Sequence, residues 1–414
     1  MAAGEAARRG RRVLLLEKME KAGRKVRITG KGRCNVTNMR ESEEFLSRVR
    51  TNVDFFRPSF ACMSNKATVR FFERLGVKMI TERGDRVFPK SGRAWDVADA
   101  LVGWCRENGV TMEFHSKVEE IVTVADRVLG VNYTNKRGFR RREEADNVIV
   151  ATGGVGYPAT GSTGDGYRFA HRLGHAIEPV RPSLVPLVSS HPAIGAMAGL
   201  ELRNISVRLM VDGTCAGEEF GEIAVSTRGV EGAVVLRLSR DAVDALIEEH
   251  RVELWLDLKP ALTPEVLAER IARERAELPR EAMVRELVRK LVPRLLVEPV
   301  AAEAGLHPKM YLKKMGEEEQ GRLIAVLKRF VLPISDYRPF EEAVVTAGGV
   351  RVDEVDPQTL QSKRVKGLYF AGEVLDLDAD TGGYNLQIAF STGRLAGQLR
   401  GSGLAPRERS GQQE

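Results

Sequence analysis

The chain has 414 residues, 43% hydrophobic and 29% charged, ordinary values for a folded protein that exclude wholesale disorder. At roughly 150 residues per domain, this length predicts two or three domains. Lys and Arg number 64 against 57 Asp and Glu, a net charge of +7. That surplus suits an anionic ligand, but it is scattered and forms no clustered basic-aromatic stripe, which argues against a nucleic-acid partner. The densest basic run is Lys136, Arg137, Arg140, Arg141 and Arg142, followed at once by Glu143 and Glu144. It reads as a solvated hairpin or edge strand. Cys34, Cys62, Cys105 and Cys215 are isolated, with no CxxC or Cys/His cluster, so neither a metal site nor a disulfide framework is indicated. No apolar run nears the roughly 18 residues of a membrane span and no signal peptide is visible, so a cytoplasmic protein is expected.

Residues 2–10 read as a helix ending at Gly10. Arg12–Glu17 (RVLLLE) has the pattern of a buried parallel strand ending in an acid. Helix then strand is the second half of a βαβ unit, whose first strand and glycine loop are expected ahead of residue 1. Residues 18–38 read as a loop. Residues 41–75 are helical, with Phe55, Phe56, Phe71 and Phe72 in the core. Short strands are predicted at 75–80, 86–88 and 111–114, and an amphipathic helix at 96–108, closed by Gly109. Residues 118–123, 128–133 and 139–142 fit an antiparallel meander, and Asn147–Ala151 (NVIVA) another buried strand. Prolines at 179, 182, 186 and 192 mark a linker. A β-rich block over 184–258, a helical stretch over 263–330 and mixed loop and strand over 332–352 follow. Lys366–Glu373 reads as a strand and Asn385–Leu399 as a helix. There is no internal repeat.

Four constellations carry chemistry. Glu17, at a strand end, is placed to accept hydrogen bonds from ribose hydroxyls. The segment from Gly23 through Gly30, Gly32, Arg33, Cys34, Asn35, Thr37 and Asn38 combines glycines that allow close backbone approach with Arg24, Lys25 and Arg33 as charge for a pyrophosphate. Ala151, Thr152, Gly153 and Gly154 end a strand in a close-approach turn. The loop Tyr157–Gly166 continues it. Gly372 and Glu373 lead through an acidic loop to Asp380, Thr381, Gly382, Gly383, Tyr384, Asn385 and Gln387. There a Gly-Gly pair opens a helix whose N–H groups favour negative charge on a ring system.

These segments, with GEIAVSTRGVEGAVVLRLSR at 221–240 and GLYFAGEVLDLDADTGGYNLQIAFSTGRLAG at 367–397, resemble the BaiN/YhiN-like family of NAD(P)/FAD-dependent oxidoreductases. The resemblance implies an α/β fold: a glutathione-reductase-like FAD-binding domain with a doubly wound sheet, carrying an inserted β-barrel-like and helical part. By position, residues 1–182 and 339–400 form the FAD-binding domain. The inserted β-rich domain is expected at 183–262, the inserted helical subdomain at 263–338 and a disordered tail at 401–414. It further implies that Glu17, Arg24, Lys25, the 32–38 loop, Ala151–Gly154, Gly372–Glu373 and the 380–387 segment bind FAD. Similar proteins begin with a strand and G-x-G-x-x-G ahead of the helix matching residues 1–10, so a chain truncated at its N terminus, without that pyrophosphate cradle, is expected. The implied activity is hydride transfer from NAD(P)H through FAD to a small organic substrate, of the enone or alkene type. A flavin oxidase, a tRNA-modifying flavoprotein and a basic nucleic-acid-binding protein with a relic flavin fold are the alternatives. Tyr157, Tyr384 and Cys34 lie in the cofactor loops as candidate proton donors, though an aromatic there serves as a wall and a lone Cys as a packed hydrophobe.

Overall fold

The computed structural model describes residues 1–401; the expected disordered tail lies outside the described residues except at Gly401. The chain forms two compact units, one of Met1–Arg181 with the residues from Val344 onward, the other of Pro182–Ala343.

The first unit is Rossmann-like. Leu14–Glu17 pairs in parallel with Thr111–Phe114, and Val148–Val150 with Leu368–Phe370. The four strands stand as two separate ladders. This corrects the expectation that 12–17 is buried. All four residues of Leu14–Glu17 are half-buried, because the strand is paired along one edge among the described residues. Ala151, following Val148–Val150, is exposed for the same reason. The meander is present as Lys117–Val124, Arg127–Thr134 and Arg140–Glu144, in that order across the sheet. Thr37–Asn38, Arg86–Pro89 and Met79–Glu82 make a small antiparallel sheet, so residues 18–38 are not all loop: Arg24–Ile28 is a helix and Thr37–Asn38 a strand. The helical 41–75 stretch is three helices, Ser42–Leu46, Val53–Cys62 and Asn65–Arg74. Phe56 and Phe72 are fully buried.

The helix Ala2–Arg8 is tied down by a charge cluster. Glu5 is fully buried, yet its carboxylate meets Arg9 Nε at 2.7 Å, Arg8 Nη2 at 2.9 Å and Arg394 Nη1 at 2.9 Å. Burial alone would raise this carboxyl; the arginine hydrogen bonds outweigh it and hold it below the usual range. Arg394 lies on Tyr384–Ala396, so the cluster joins this helix to Ala2–Arg8.

The second unit contains a closed six-stranded barrel, in the order Leu187–Ser189, Gly229–Glu231, Thr214–Val225, Glu201–Val211, Val252–Asp257, Phe330–Tyr337. One feature of the β-rich stretch went unread in the sequence: Ala233–Ile247 is a helix, which buries Val234, Val235, Leu238 and Ala242. Its β-branched valines suit a strand by propensity, but the 3.6-residue spacing of its apolar positions prevails once they face the barrel core. The helices Pro264–Ala276, Val284–Leu291, Val297–Glu303 and Glu317–Lys328 share one apolar core with the barrel strands. No helix among the described residues is long and apolar enough to cross a membrane.

Candidate functional site

The three glycine-rich motifs meet at Glu373. This residue follows the strand Leu368–Phe370 through Gly372, whose φ of 78° requires the left-handed region glycine tolerates. Its Oε1 accepts the Thr346 N–H at 2.9 Å, and Lys25 Nζ lies 2.7 Å from Oε2. Thr346 in turn uses Oγ1 to accept the N–H groups of Val155 at 2.9 Å and Gly156 at 3.1 Å. Gly154 sits inside this knot. A Cβ there would lie 2.4 Å from Thr346 Oγ1 and 3.0 Å from Glu373 Oε1, so only glycine fits. Tyr167 closes the far side, its hydroxyl donating to the Glu373 carbonyl at 3.3 Å. Burial holds that phenol far above its ordinary pKa, fully protonated. Thr346 was absent from the sequence expectations. A single threonine leaves no periodic trace; its only signal is the Gly348-Gly349 pair that follows.

Of the three predicted cations, Lys25 alone faces the other motifs. Arg24 pairs with Glu20 at 2.9 Å, one turn away. Arg33 pairs with Glu82 and lies over the Phe88 ring, 4.3 Å from its centroid. The loop holding Arg33 is wound through left-handed residues, Gly30, Lys31, Gly32 and Cys34. Cys34 is fully buried, and burial pushes its thiol up to about 11. It is a packed hydrophobe rather than a proton donor. Asn35 presents a buried Oδ1 with no hydrogen-bond partner. Thr37 and Gln387 are committed to each other: Thr37 Oγ1 donates to Gln387 Oε1 at 2.7 Å, and Gln387 Nε2 donates to Met63 O and Thr68 Oγ1, both at 2.8 Å. Asn38 bridges the carbonyls of Gly84 and Gly382. Thr37, Asn38 and Gln387 therefore shape the site from behind.

The acidic loop before the last helix is pinned by a stretch the sequence reading left unassigned. Arg50 Nε lies 2.7 Å from Asp380 Oδ1, Thr51 bonds Asp378, and Asn52 Nδ2 donates to Asp376 Oδ2 at 2.9 Å. Asn385 folds back on Ala379, accepting its N–H at 3.0 Å and donating to its carbonyl at 2.8 Å. Thr381 is half-buried. Gly382 and Gly383 have φ of 130° and 98°, and a Cβ on Gly383 would strike Thr37 O at 2.5 Å. Tyr384 is buried against Phe45, with ring centroids 4.8 Å apart. Elsewhere in this unit, Glu17 caps the Met19 N–H at 2.9 Å, and burial pushes its carboxyl above the usual range. Thr152 Oγ1 is buried without a partner. Gly153 has a φ of 73°. Tyr157 is half-buried.

These residues fit a flavin dinucleotide in two respects. The helix Tyr384–Ala396 starts with no side-chain cap and no acid in its first turn, which leaves the positive end of its dipole uncompensated for a partner that carries negative charge. The orphaned Asn35 Oδ1 is an acceptor awaiting a donor.

Comparisons with known proteins agree with this architecture. The chain is 33% identical over 391 residues to the 3-dehydro-bile acid delta(4,6)-reductase of Clostridium scindens, covering 93% of this chain and 92% of that protein. It is 28% identical over 394 residues to the ribosomal RNA dihydrouridine synthase of Escherichia coli, covering 94% and 91%. Among solved structures, 3-ketosteroid delta1-dehydrogenase from Sterolibacterium denitrificans, in complex with 1,4-androstadiene-3,17-dione, superposes with a TM-score of 0.53. That alignment covers 96% of each chain at 13% identity, a likeness of fold. The description HI0933-like protein Rossmann domain matches residues 1–399. The chain thus belongs to the HI0933-like family, the BaiN/YhiN-type flavoprotein oxidoreductases that its motifs resemble.

Proposed function

We propose that this protein is an FAD-dependent oxidoreductase that reduces a C=C bond conjugated to a carbonyl in a small organic substrate, with NAD(P)H as electron donor. The observation that carries the reading is the junction at Glu373, where residues from all three cofactor motifs are bonded together. The name of the relative at 33% identity, a delta(4,6)-reductase, supports the choice of bond. When bound, FAD supplies the hydride chemistry. Residues Thr152–Gly154 and Glu17 would hold its adenosine half, and Thr381–Asn385 its ring system. The chain's own contribution is rigidity. Thr346 fixes the backbone after Gly154, the 48–52 stretch fixes the acidic loop, and the uncapped helix start favours negative charge at its N–H groups. The test is extraction of the flavin from purified protein and its chromatography: FAD is expected, and FMN alone would exclude the assignment of Glu17 and Thr152–Gly154.

A second reading is that the reduced bond belongs to a nucleobase in RNA. It is favoured by the relatives at 28% and 26% identity that are named ribosomal RNA dihydrouridine synthases. Dihydrouridine content of ribosomal RNA from cells with and without the gene distinguishes it: loss on deletion selects this reading, and unchanged content rejects it.

A further inference from the structure

The basic run at residues 136–142 is not explained by the cofactor site. It forms the tip and outer strand of the hairpin Arg127–Thr134 to Arg140–Glu144, at the edge of its three-stranded sheet. The tip is built. Asn135 donates its N–H to Phe139 O at 3.0 Å, while its Oδ1 accepts the N–H groups of Arg137 at 3.0 Å and Phe139 at 3.1 Å. Gly138 takes the left-handed turn position with φ 79°. This fixed turn presents Phe139 to solvent at 58% exposure, an unusual place for a large apolar ring.

Lys136, Arg137, Arg140, Arg141 and Arg142 are all exposed, and none carries an ion pair among the described residues. Other surface cations of this unit are neutralised, as Arg57 is by Glu43 and Lys66 by Glu41. Glu143 and Glu144 continue the strand without pairing to the run. Register places Arg140 opposite Thr134 and Arg142 opposite Asn132. Those two arginines therefore share one face, roughly 7 Å apart along the strand. Charge on an edge strand also blocks unwanted strand pairing, but that role needs no exposed aromatic and no uniform sign.

We propose that this hairpin docks a single-stranded nucleic acid. The five cations would follow successive phosphates, and Phe139 would stack on an unpaired base. Like charges held this close repel one another, and a polyanion relieves that repulsion. Stacking on an aromatic ring selects unpaired bases over duplex. The proposal does not depend on the reductase reading, since it concerns binding alone.

The test is fluorescence anisotropy of a labelled single-stranded oligouridylate against the purified full-length protein, between about 50 and about 200 mM salt. The unaltered protein is expected to bind, with affinity falling as salt rises. The triple variant R140A/R141A/R142A should bind at least tenfold more weakly. Its log–log salt slope should be shallower by about 2, at roughly 0.7 per lost phosphate contact on a single strand. Phe139→Ala should weaken binding about fivefold or more with the slope unchanged. Melting temperatures of the variants check that the exposed substitutions leave the fold intact. The control K313A/K314A, in the other unit, should bind as the unaltered protein does. The proposal is overturned by any of these results: no binding by the unaltered protein, equal affinity in the triple variant, an equal loss in the control, or tighter binding to a duplex or to anionic phosphatidylglycerol vesicles than to the oligouridylate.

Discussion

Lys25 Nζ lies 2.7 Å from Glu373 Oε2 and 3.0 Å from Oε1, joining residues 348 positions apart. The pair is largely shielded, with side-chain exposures of 23% and 18%. It lies between the water-screened limit, where ion pairs contribute little, and the buried one, where breaking them is costly. Lys25→Ala should lower stability by roughly 1.5–3 kcal/mol, the value of a hydrogen bond to a charged group. Glu373→Ala should cost more, because it also strands the Thr346 N–H. Glu373→Gln keeps an acceptor there and should fall between the unaltered protein and Glu373→Ala. Denaturant titration gives the ranking, and equal stability for Glu373→Ala and Glu373→Gln would contradict it.

Thr346 is a sharper probe of the same junction. Thr346→Val keeps the shape but removes the acceptor for the Val155 and Gly156 N–H groups. Leaving buried donors unpaired costs about 1–3 kcal/mol. Melting temperature and flavin absorbance per chain should both fall in Thr346→Val and both recover in Thr346→Ser. Full flavin content in the valine variant would show that the loop after Gly154 needs no such anchor.

That threonine also marks the limit of sequence reading. The strands at 14–17, 111–114 and 368–370 were legible because short apolar runs flanked by turn residues announce themselves. The glycine motifs were legible because close approach leaves no substitute for glycine, as at Gly154 and Gly383. Thr346, Arg50 and Asn52 were not, because each is a lone polar residue whose role exists only where distant segments meet. The helix Ala233–Ile247 was hidden by valines that suit a strand until the barrel offers them a face.

Glu5→Gln should be severe for a residue on a short surface helix. Removing the charge leaves Arg8, Arg9 and Arg394 without their shared carboxylate. Breaking a buried ion pair costs roughly 3–5 kcal/mol, and the partial exposure of Arg8 and Arg9 argues for the lower end, about 3 kcal/mol. A loss under about 1 kcal/mol by chemical denaturation would place the cluster among ordinary surface pairs.

His175 supplies a pH dependence. Its Nδ1 is 3.1 Å from Glu354 Oε2 and its Nε2 is 2.8 Å from Ser362 Oγ. Ser362 Oγ already accepts the N–H groups of Arg364 and Val365, so its proton points at Nε2 and the imidazole is neutral. Burial lowers its pKa, outweighing the opposing pull of Glu354. The unfolded chain therefore takes up a proton at about pH 6.5 while the folded one resists. This contribution to stability is complete above that pH and is lost as pH falls below it toward the folded pKa. The melting temperature of the unaltered protein should drop more steeply between about pH 7 and about pH 5.5 than that of His175→Gln. Parallel curves would remove His175 as the cause.

The thiols should react unequally. Cys215 is exposed, whereas Cys34 is buried with its pKa pushed up to about 11, and only the thiolate reacts. Alkylation at mildly alkaline pH followed by peptide mass analysis should mark Cys215 within minutes and leave Cys34 unmodified in folded protein. Rapid labelling of Cys34 would mean that its loop opens to solvent.

The central claim is that this chain holds FAD and uses it to reduce a conjugated C=C bond. Its most direct measurement is made without oxygen. The purified protein, reduced with dithionite just to the loss of its yellow absorbance, is mixed with a steroid enone, and the flavin band is followed with time. The account predicts that the oxidised band returns, with one saturated product formed per flavin. A protein that takes up no FAD, or whose reduced flavin stays colourless in the presence of the enone, would contradict it.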